Sequence, residues 1–272
     1  MLNMLGADTV RPLWRGTPDI TFENPAAAPE AAVVIAVAGP VLLGFHPANP
    51  NGRAMLVLGG GGYVALMAGR EGVQVAQWLT GLGYQAYVLL HRFPNAENGP
   101  SAPLDDAREA MRLIRDDHAE VGVVGLSSGG HLAACLAAKY PAEWTGRSET
   151  ARPDVLVIGY APISTNAKGR TIVADKPPLP PLEKQSMYDR LQPDAQLLPS
   201  PPPVFTVYAG NDPVVPAENA RRLHDAWQAA GGKVESHVFA DAPHGFALDT
   251  QGLPVSVWPM LCEAWLRQTG FL

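Results

Sequence analysis

Ser127 stands at the centre of Gly125-Leu126-Ser127-Ser128-Gly129, a Gly-x-Ser-x-Gly pattern. That spacing suits a nucleophile elbow, a sharp strand-to-helix turn that projects a serine while glycines on either side let the two backbones approach. The flanks agree with it: Val121-Gly122-Val123-Val124 reads as a strand, and Gly129-Gly130-His131-Leu132-Ala133-Ala134 opens an apolar helix. Ser128 is the competing hydroxyl. Its place after the elbow residue better suits a backbone N–H donor than a nucleophile.

A serine hydroxyl attacks poorly unless a neutral imidazole takes its proton, and that imidazole needs a carboxylate to fix its tautomer. Downstream of the elbow the order required is acid, then histidine. His224 falls within a helical pattern and His237 within an alternating strand, so both read as structural or solvent-facing. His244 lies in Ala242-Pro243-His244-Gly245-Phe246, a breaker-rich loop after a strand ending at Phe239, where a base can be held above a sheet edge. For the acid, Asp212 in Gly210-Asn211-Asp212-Pro213 follows one strand and precedes a helix. A turn or helix-capping aspartate is the competing reading of Asp212. Asp194, in a proline-rich stretch, and Asp241, three residues from His244, are less suited to orient the ring.

Acyl transfer also needs N–H groups where the oxyanion develops. The run Gly59–Gly62, directly after an apolar strand, can supply them through Gly61 and Gly62, with the Ser128 N–H as a further donor. The same glycines lack the spacing of a phosphate-binding P-loop or of a dinucleotide fingerprint. No His, Cys, Asp or Glu cluster has metal-ligand spacing, so neither metal nor cofactor is expected. Tyr63, beside the glycine run, and aromatics from the proline-rich stretch are candidates to line a substrate. His131 reads first as a structural residue and second as a substrate contact.

The elements that must position these groups follow a βαβ rhythm. Residues 31–37 and 41–45, broken by Gly39-Pro40, read as an antiparallel hairpin, and residues 54–58 as a buried central strand. Helical patterns near 72–80, 104–117 and 128–139 alternate with strands at 85–90 and 121–125. Strands at 155–160, 204–209 and 234–239 and helices near 216–230 and 255–268 complete the series. A mostly parallel twisted sheet with helices on both faces is the economical fold, in a single domain. The segment before Pro29 has no period and reads as an arm lying over it. Residues 164–203, with two proline clusters around a short charged patch, read as a stiff insertion or lid above the sheet.

Apolar residues make up 47 % of the 272 and charged ones 17 %, the composition of a compact globular chain. The formal net charge of −6 and the lack of any basic run exclude nucleic acid and favour neutral substrates. Cys135 and Cys262 read as small buried hydrophobes. No secretory h-region and no long apolar span is evident, so a soluble protein without a membrane partner is expected, cytoplasmic as the sequence is written and periplasmic or secreted if a signal was removed.

Several blocks together resemble the esterase branch of the α/β-hydrolases that holds acetyl xylan esterases and bifunctional acetyl/feruloyl carbohydrate esterases. They are Gly60-Gly61-Gly62-Tyr63 with Arg70-Glu71-Gly72, Leu104-Asp105-Asp106-Ala107-Arg108, the elbow through Ala133, Asp212-Pro213-Val214-Val215-Pro216 and His244-Gly245-Phe246. Gly59 departs from the pattern, since relatives often carry proline or histidine there, and a looser glycine loop is the consequence expected. The resemblance implies an α/β-hydrolase fold, a Ser127, Asp212, His244 triad and an oxyanion hole from Ser128 with Gly61 or Gly62. It implies an ester hydrolase acting on a small-molecule or oligosaccharide ester, foremost an acetylated sugar. A feruloyl or aryl esterase or a peptidase with the same triad, and a non-catalytic binding protein on this fold, are the alternatives.

Overall fold

The computed structural model describes residues 5–144, 152–173 and 175–272. Eight strands form one sheet in the order β1 (Thr9–Pro12), β4 (Val41–Phe45), β6 (Gln85–Leu90), β5 (Ala54–Leu58), β7 (Val121–Leu126), β8 (Leu156–Gly159), β9 (Val204–Ala209), β10 (Val234–Phe239). From β6 to β10 all neighbours run parallel, while β4 is antiparallel to both β6 and β1. Every residue of β4, β5, β7, β8 and β9 is buried. Continuous apolar runs of this kind are what a sheet covered on both faces requires.

Helices α1 (Gln74–Gly81), α2 (Ala102–Arg115), α3 (Ser128–Cys135), α6 (Glu218–Ala229) and α7 (Trp258–Thr269) fall within a few residues of the expected spans. A π-helical turn, Ala68–Val73, leads into α1.

Two expectations are corrected. The hairpin of 31–37 with 41–45 does not form: β3 (Val34–Gly39) pairs with β2 (Asp19–Phe22) in a separate two-stranded sheet. β4 is buried along its whole length and belongs inside the main sheet, whereas β3 is largely exposed and can remain outside it. Pro40 between them cannot donate to a ladder. The arm before Pro29 is likewise structured, because β1 takes the sheet edge beside β4 and β2 pairs with β3. Its first four residues lie outside the described ones, as does Ala174 in the insertion.

The insertion carries two helices where only a charged patch was legible, α4 (Leu182–Arg190) and α5 (Pro193–Gln196). Met187 and Tyr188 of α4 and Leu191 directly after it are buried against the main core.

Candidate active site

Parallel register brings the chemistry to one rim. Leu58 of β5 pairs with Gly125 of β7, so the glycine loop and the elbow leave the sheet at the same level. Ala209 of β9 pairs with Phe239 of β10, and the loops bearing Asp212 and His244 leave together in the same way. In open α/β sheets ligands collect at the carboxyl ends of the strands, where these loops converge.

The elbow is strained as its motif demands. Ser127 has φ 52° and ψ −123°, left-handed for a non-glycine residue. A Cβ on Gly125 would meet the Gly129 carbonyl and the Ala133 methyl at 2.7 Å, and one on Gly129 would run into the carbonyls of Leu58 and Gly59. Strand, helix and glycine loop therefore touch backbone to backbone.

Ser127 Oγ lies 3.1 Å from His244 Nε2, and His244 Nδ1 lies 2.7 Å from Asp212 Oδ2. The Asp212 side chain is wholly buried while His244 and Ser127 remain partly open. The competing reading of Asp212 as a turn residue also holds, on its other oxygen: Oδ1 accepts from the N–H groups of Val214 at 2.8 Å and Val215 at 2.9 Å. These bonds fix the carboxylate, which in turn fixes the imidazole with Nδ1 as donor and Nε2 facing the serine. The rival groups are engaged elsewhere. Asp194 makes a two-pronged ion pair with Arg170 at 2.7 and 2.9 Å, and Asp241 accepts from Asn211. His237 pairs with Glu235 at 3.0 Å, and His224 is half-buried on α6.

Ser128, the competing hydroxyl, is 3 % exposed and its Oγ accepts from the Gly62 N–H at 3.0 Å. Gly62 is thus engaged, which corrects its expected role as a free donor. The N–H groups of Gly61 and Ser128 have no protein acceptor among the described residues; Ser128 follows Ser127 in the chain, and Gly61 follows Gly60, where a Cβ would come within 2.6 Å of Ser127 Cβ. The loop itself is not slack despite Gly59. Gly60 donates to Glu71 Oε2 at 2.6 Å, and its carbonyl accepts from Met67 at 2.8 Å.

Tyr63 and His131, candidate substrate contacts, are 1 % and 0 % exposed, so neither presents a surface to a ligand. Tyr63 Oη donates to His131 Nδ1 at 2.8 Å, and His131 Nε2 donates to the Leu191 carbonyl at 2.9 Å, the tautomer this pair of partners requires. Burial pulls the His131 pKa down to about 4, against the bond to Leu191. The pair ties the elbow helix and glycine loop to the end of α4. Tyr188, the aromatic residue of the insertion, is also buried, packed edge-on to Tyr63 at 5.6 Å.

Glu71 and Tyr160 were not singled out for a role, yet they join the two halves of the site. Glu71 is 3 % exposed; one oxygen accepts from Gly60 and the other from Tyr160 Oη at 3.1 Å. Tyr160 Oη in turn accepts from the Ala247 N–H at 3.2 Å, and its ring stands edge-on to His244 at 5.3 Å. Burial raises the Glu71 carboxyl above the usual range, opposed by the bonds from Gly60 and Tyr160 and by His244. A carboxylate shortly after a glycine run, next to Arg70, was the available signal.

Residues 55–248 match the family of the alpha/beta hydrolase fold, and the chain belongs to that family. An acetylxylan esterase of Xylanibacter ruminicola is 27 % identical over 225 residues, 76 % of this chain; the chain spans 43 % of that relative's length. Among solved structures, an acetyl ester-xyloside bifunctional hydrolase from Caldicellulosiruptor lactoaceticus is 27 % identical, with a TM-score of 0.72 over 98 % of both chains. A carboxylesterase from Lactobacillus plantarum is 19 % identical, with a TM-score of 0.70 over 94 % of this chain and 99 % of its own, and shares the fold. Among the described residues, no helix is long and apolar enough to cross a membrane and no group of side chains could hold a metal ion.

Proposed function

We propose that the protein is a serine carboxylic ester hydrolase that removes small acyl groups, acetyl foremost, from carbohydrate such as xylan or xylo-oligosaccharides. The observation that carries the reading is the continuous relay from Ser127 Oγ through His244 to Asp212, at 3.1 and 2.7 Å. Ser127 Oγ attacks the ester carbonyl as His244 Nε2 takes its proton, and Asp212 holds the ring and stabilises the imidazolium. The N–H groups of Gly61 and Ser128 receive the oxyanion. The tetrahedral intermediate collapses as His244 protonates the departing sugar oxygen, leaving an acyl-serine. Water, deprotonated by His244, attacks the acyl-serine, and the carboxylic acid departs with Ser127 restored. These steps call on protein side chains, backbone N–H groups and water. The acetyl preference is supported by the two 27 % identical relatives, an acetylxylan esterase and an acetyl ester-xyloside bifunctional hydrolase.

The test has two parts. A fluorophosphonate probe labels the protein and not its Ser127→Ala variant; persistent labelling defeats the nucleophile assignment. Acetate release from acetylated xylo-oligosaccharides exceeds hydrolysis of feruloyl esters and peptides; the reverse order defeats the deacetylase reading.

A further inference from the structure

The face of α4 that carries Met187 and Tyr188 begins one turn earlier with Lys184. Tyr188 packs on Tyr63, and Lys184 stands over the preceding residue: its Nζ is 3.9 Å from where a Cβ on Gly62 would sit. Lys184 is 9 % exposed, yet its ammonium has no carboxylate and no hydrogen-bond acceptor among the described residues. Its charged neighbour is another lysine, Lys176, whose Nζ donates to Asn166, and burial together with Lys176 lowers the Lys184 pKa. The stem of Lys184 is buried while its ammonium end stays accessible, so an approaching anion meets a cation that no described protein group has claimed. Gly61, Gly62, Ser127 and His244 are the partly open members of the site, so Lys184 reaches the stretch of glycine loop that a substrate can approach.

We propose that Lys184 is a substrate-binding residue that receives a carboxylate carried by the ester, so that the enzyme prefers acyl esters bearing an anionic group to their neutral counterparts. The inference rests on the reading of Ser127 as nucleophile. It sets a local cation against a chain whose net charge is −6, and it reverses the neutral-substrate expectation drawn from that charge. The carboxylate can belong to the acyl group, as in a hemisuccinate, or to the alcohol, as in an acetylated uronic acid. Either presents the same group to Nζ.

Two substrate pairs separate the sources: an aryl acetate with the matching aryl hemisuccinate, and an acetylated xyloside with an acetylated glucuronic acid. In at least one pair the wild-type protein favours the anionic member in kcat/KM. Lys184→Met and Lys184→Gln lower that anionic-to-neutral ratio about ten-fold, the effect of one lost charge-assisted hydrogen bond. Lys184→Arg keeps the ratio, as does Lys233→Met, which removes a charge from the opposite end of the sheet. Ratios that are the same in the Met and Gln variants as in the wild type, for both pairs, overturn the proposal. Fluorophosphonate labelling of the same proteins reports separately on Ser127 and on folding. Binding of succinate monoamide, an anion that is not an ester, is read by calorimetry in Ser127→Ala with and without Lys184→Met. Weaker binding on loss of the lysine supports the assignment without turnover, and equal binding overturns it.

Discussion

The two sides of Ser127 are built differently. On the base side, Asp212 and His244 sit on short loops after adjacent strands, and a 2.7 Å side-chain bond does most of the positioning. On the proposed oxyanion side, the glycine loop has no polar side chain of its own. It borrows its anchors from distant segments: Glu71 holds Gly60, Ser128 holds Gly62, and the Tyr63–His131 pair carries the contact on to Leu191 of the insertion. A site can thus be precise on one side through bonded pairs of strong groups and on the other through burial.

The largest break in that comparison comes on the base side. Asp212→Asn keeps an oxygen for the turn N–H groups but no longer holds the correct imidazole tautomer. kcat falls by about 10⁴-fold with little loss of stability, measured by steady-state kinetics beside thermal melting. A fall of less than about ten-fold would remove Asp212 from the relay.

Acid attacks the oxyanion side through His131. Its pKa is about 4 in the folded chain, against about 6.5 when unfolded, so between these values the unfolded state binds more protons. Stability contributed by the neutral ring is complete above about pH 6.5 and falls by about 3 kcal/mol as the pH drops through about 4. Urea titrations at pH 7 and pH 4.5 read this loss, and His131→Gln, which can still bridge Tyr63 and Leu191, flattens it. An equally steep decline in that variant would place the acid sensitivity elsewhere.

Glu71→Gln sharpens the link between the sides. Both carboxylate oxygens accept hydrogen bonds, and the amide offers one acceptor, so either Gly60 or Tyr160 loses its partner. The expected cost is roughly 10- to 100-fold in kcat with KM nearly unchanged, the worth of a hydrogen bond to a charged group acting on transition-state geometry. A change confined to KM would show that Glu71 serves substrate binding instead. The smallest effect belongs to Ser128→Ala, which frees the Gly62 N–H and leaves the Ser128 N–H in place. Activity shifts by less than about ten-fold, whereas loss on the scale of Ser127→Ala would move the nucleophile by one residue.

Much of this was legible in the chain. The elbow motif, the acid-then-histidine order and the spans of β5, β6, β9 and β10 depend on local rules: glycine where backbones touch, breakers where loops turn, apolar runs where strands are covered on both faces. What was misread depends on partners far away in sequence. β1 and β2 are too short and too exposed to show a period, and they became strands because β4 and β3 offered edges. The structural reading of His131 held, and Tyr63 beside it, a candidate to line a substrate, is turned inward by packing against α4.

By itself the sequence determined which serine, acid and histidine could meet and that they would rise from the ends of parallel strands. Those features are written in local geometry and chain order. Only the tertiary structure decided that Gly62 is engaged by Ser128, that Glu71 and Tyr160 bridge the two halves, and that Lys184, with no ion-pair partner among the described residues, stands over the glycine loop. Each of these depends on which groups are excluded from water together, and that is settled by the packing of segments scores of residues apart.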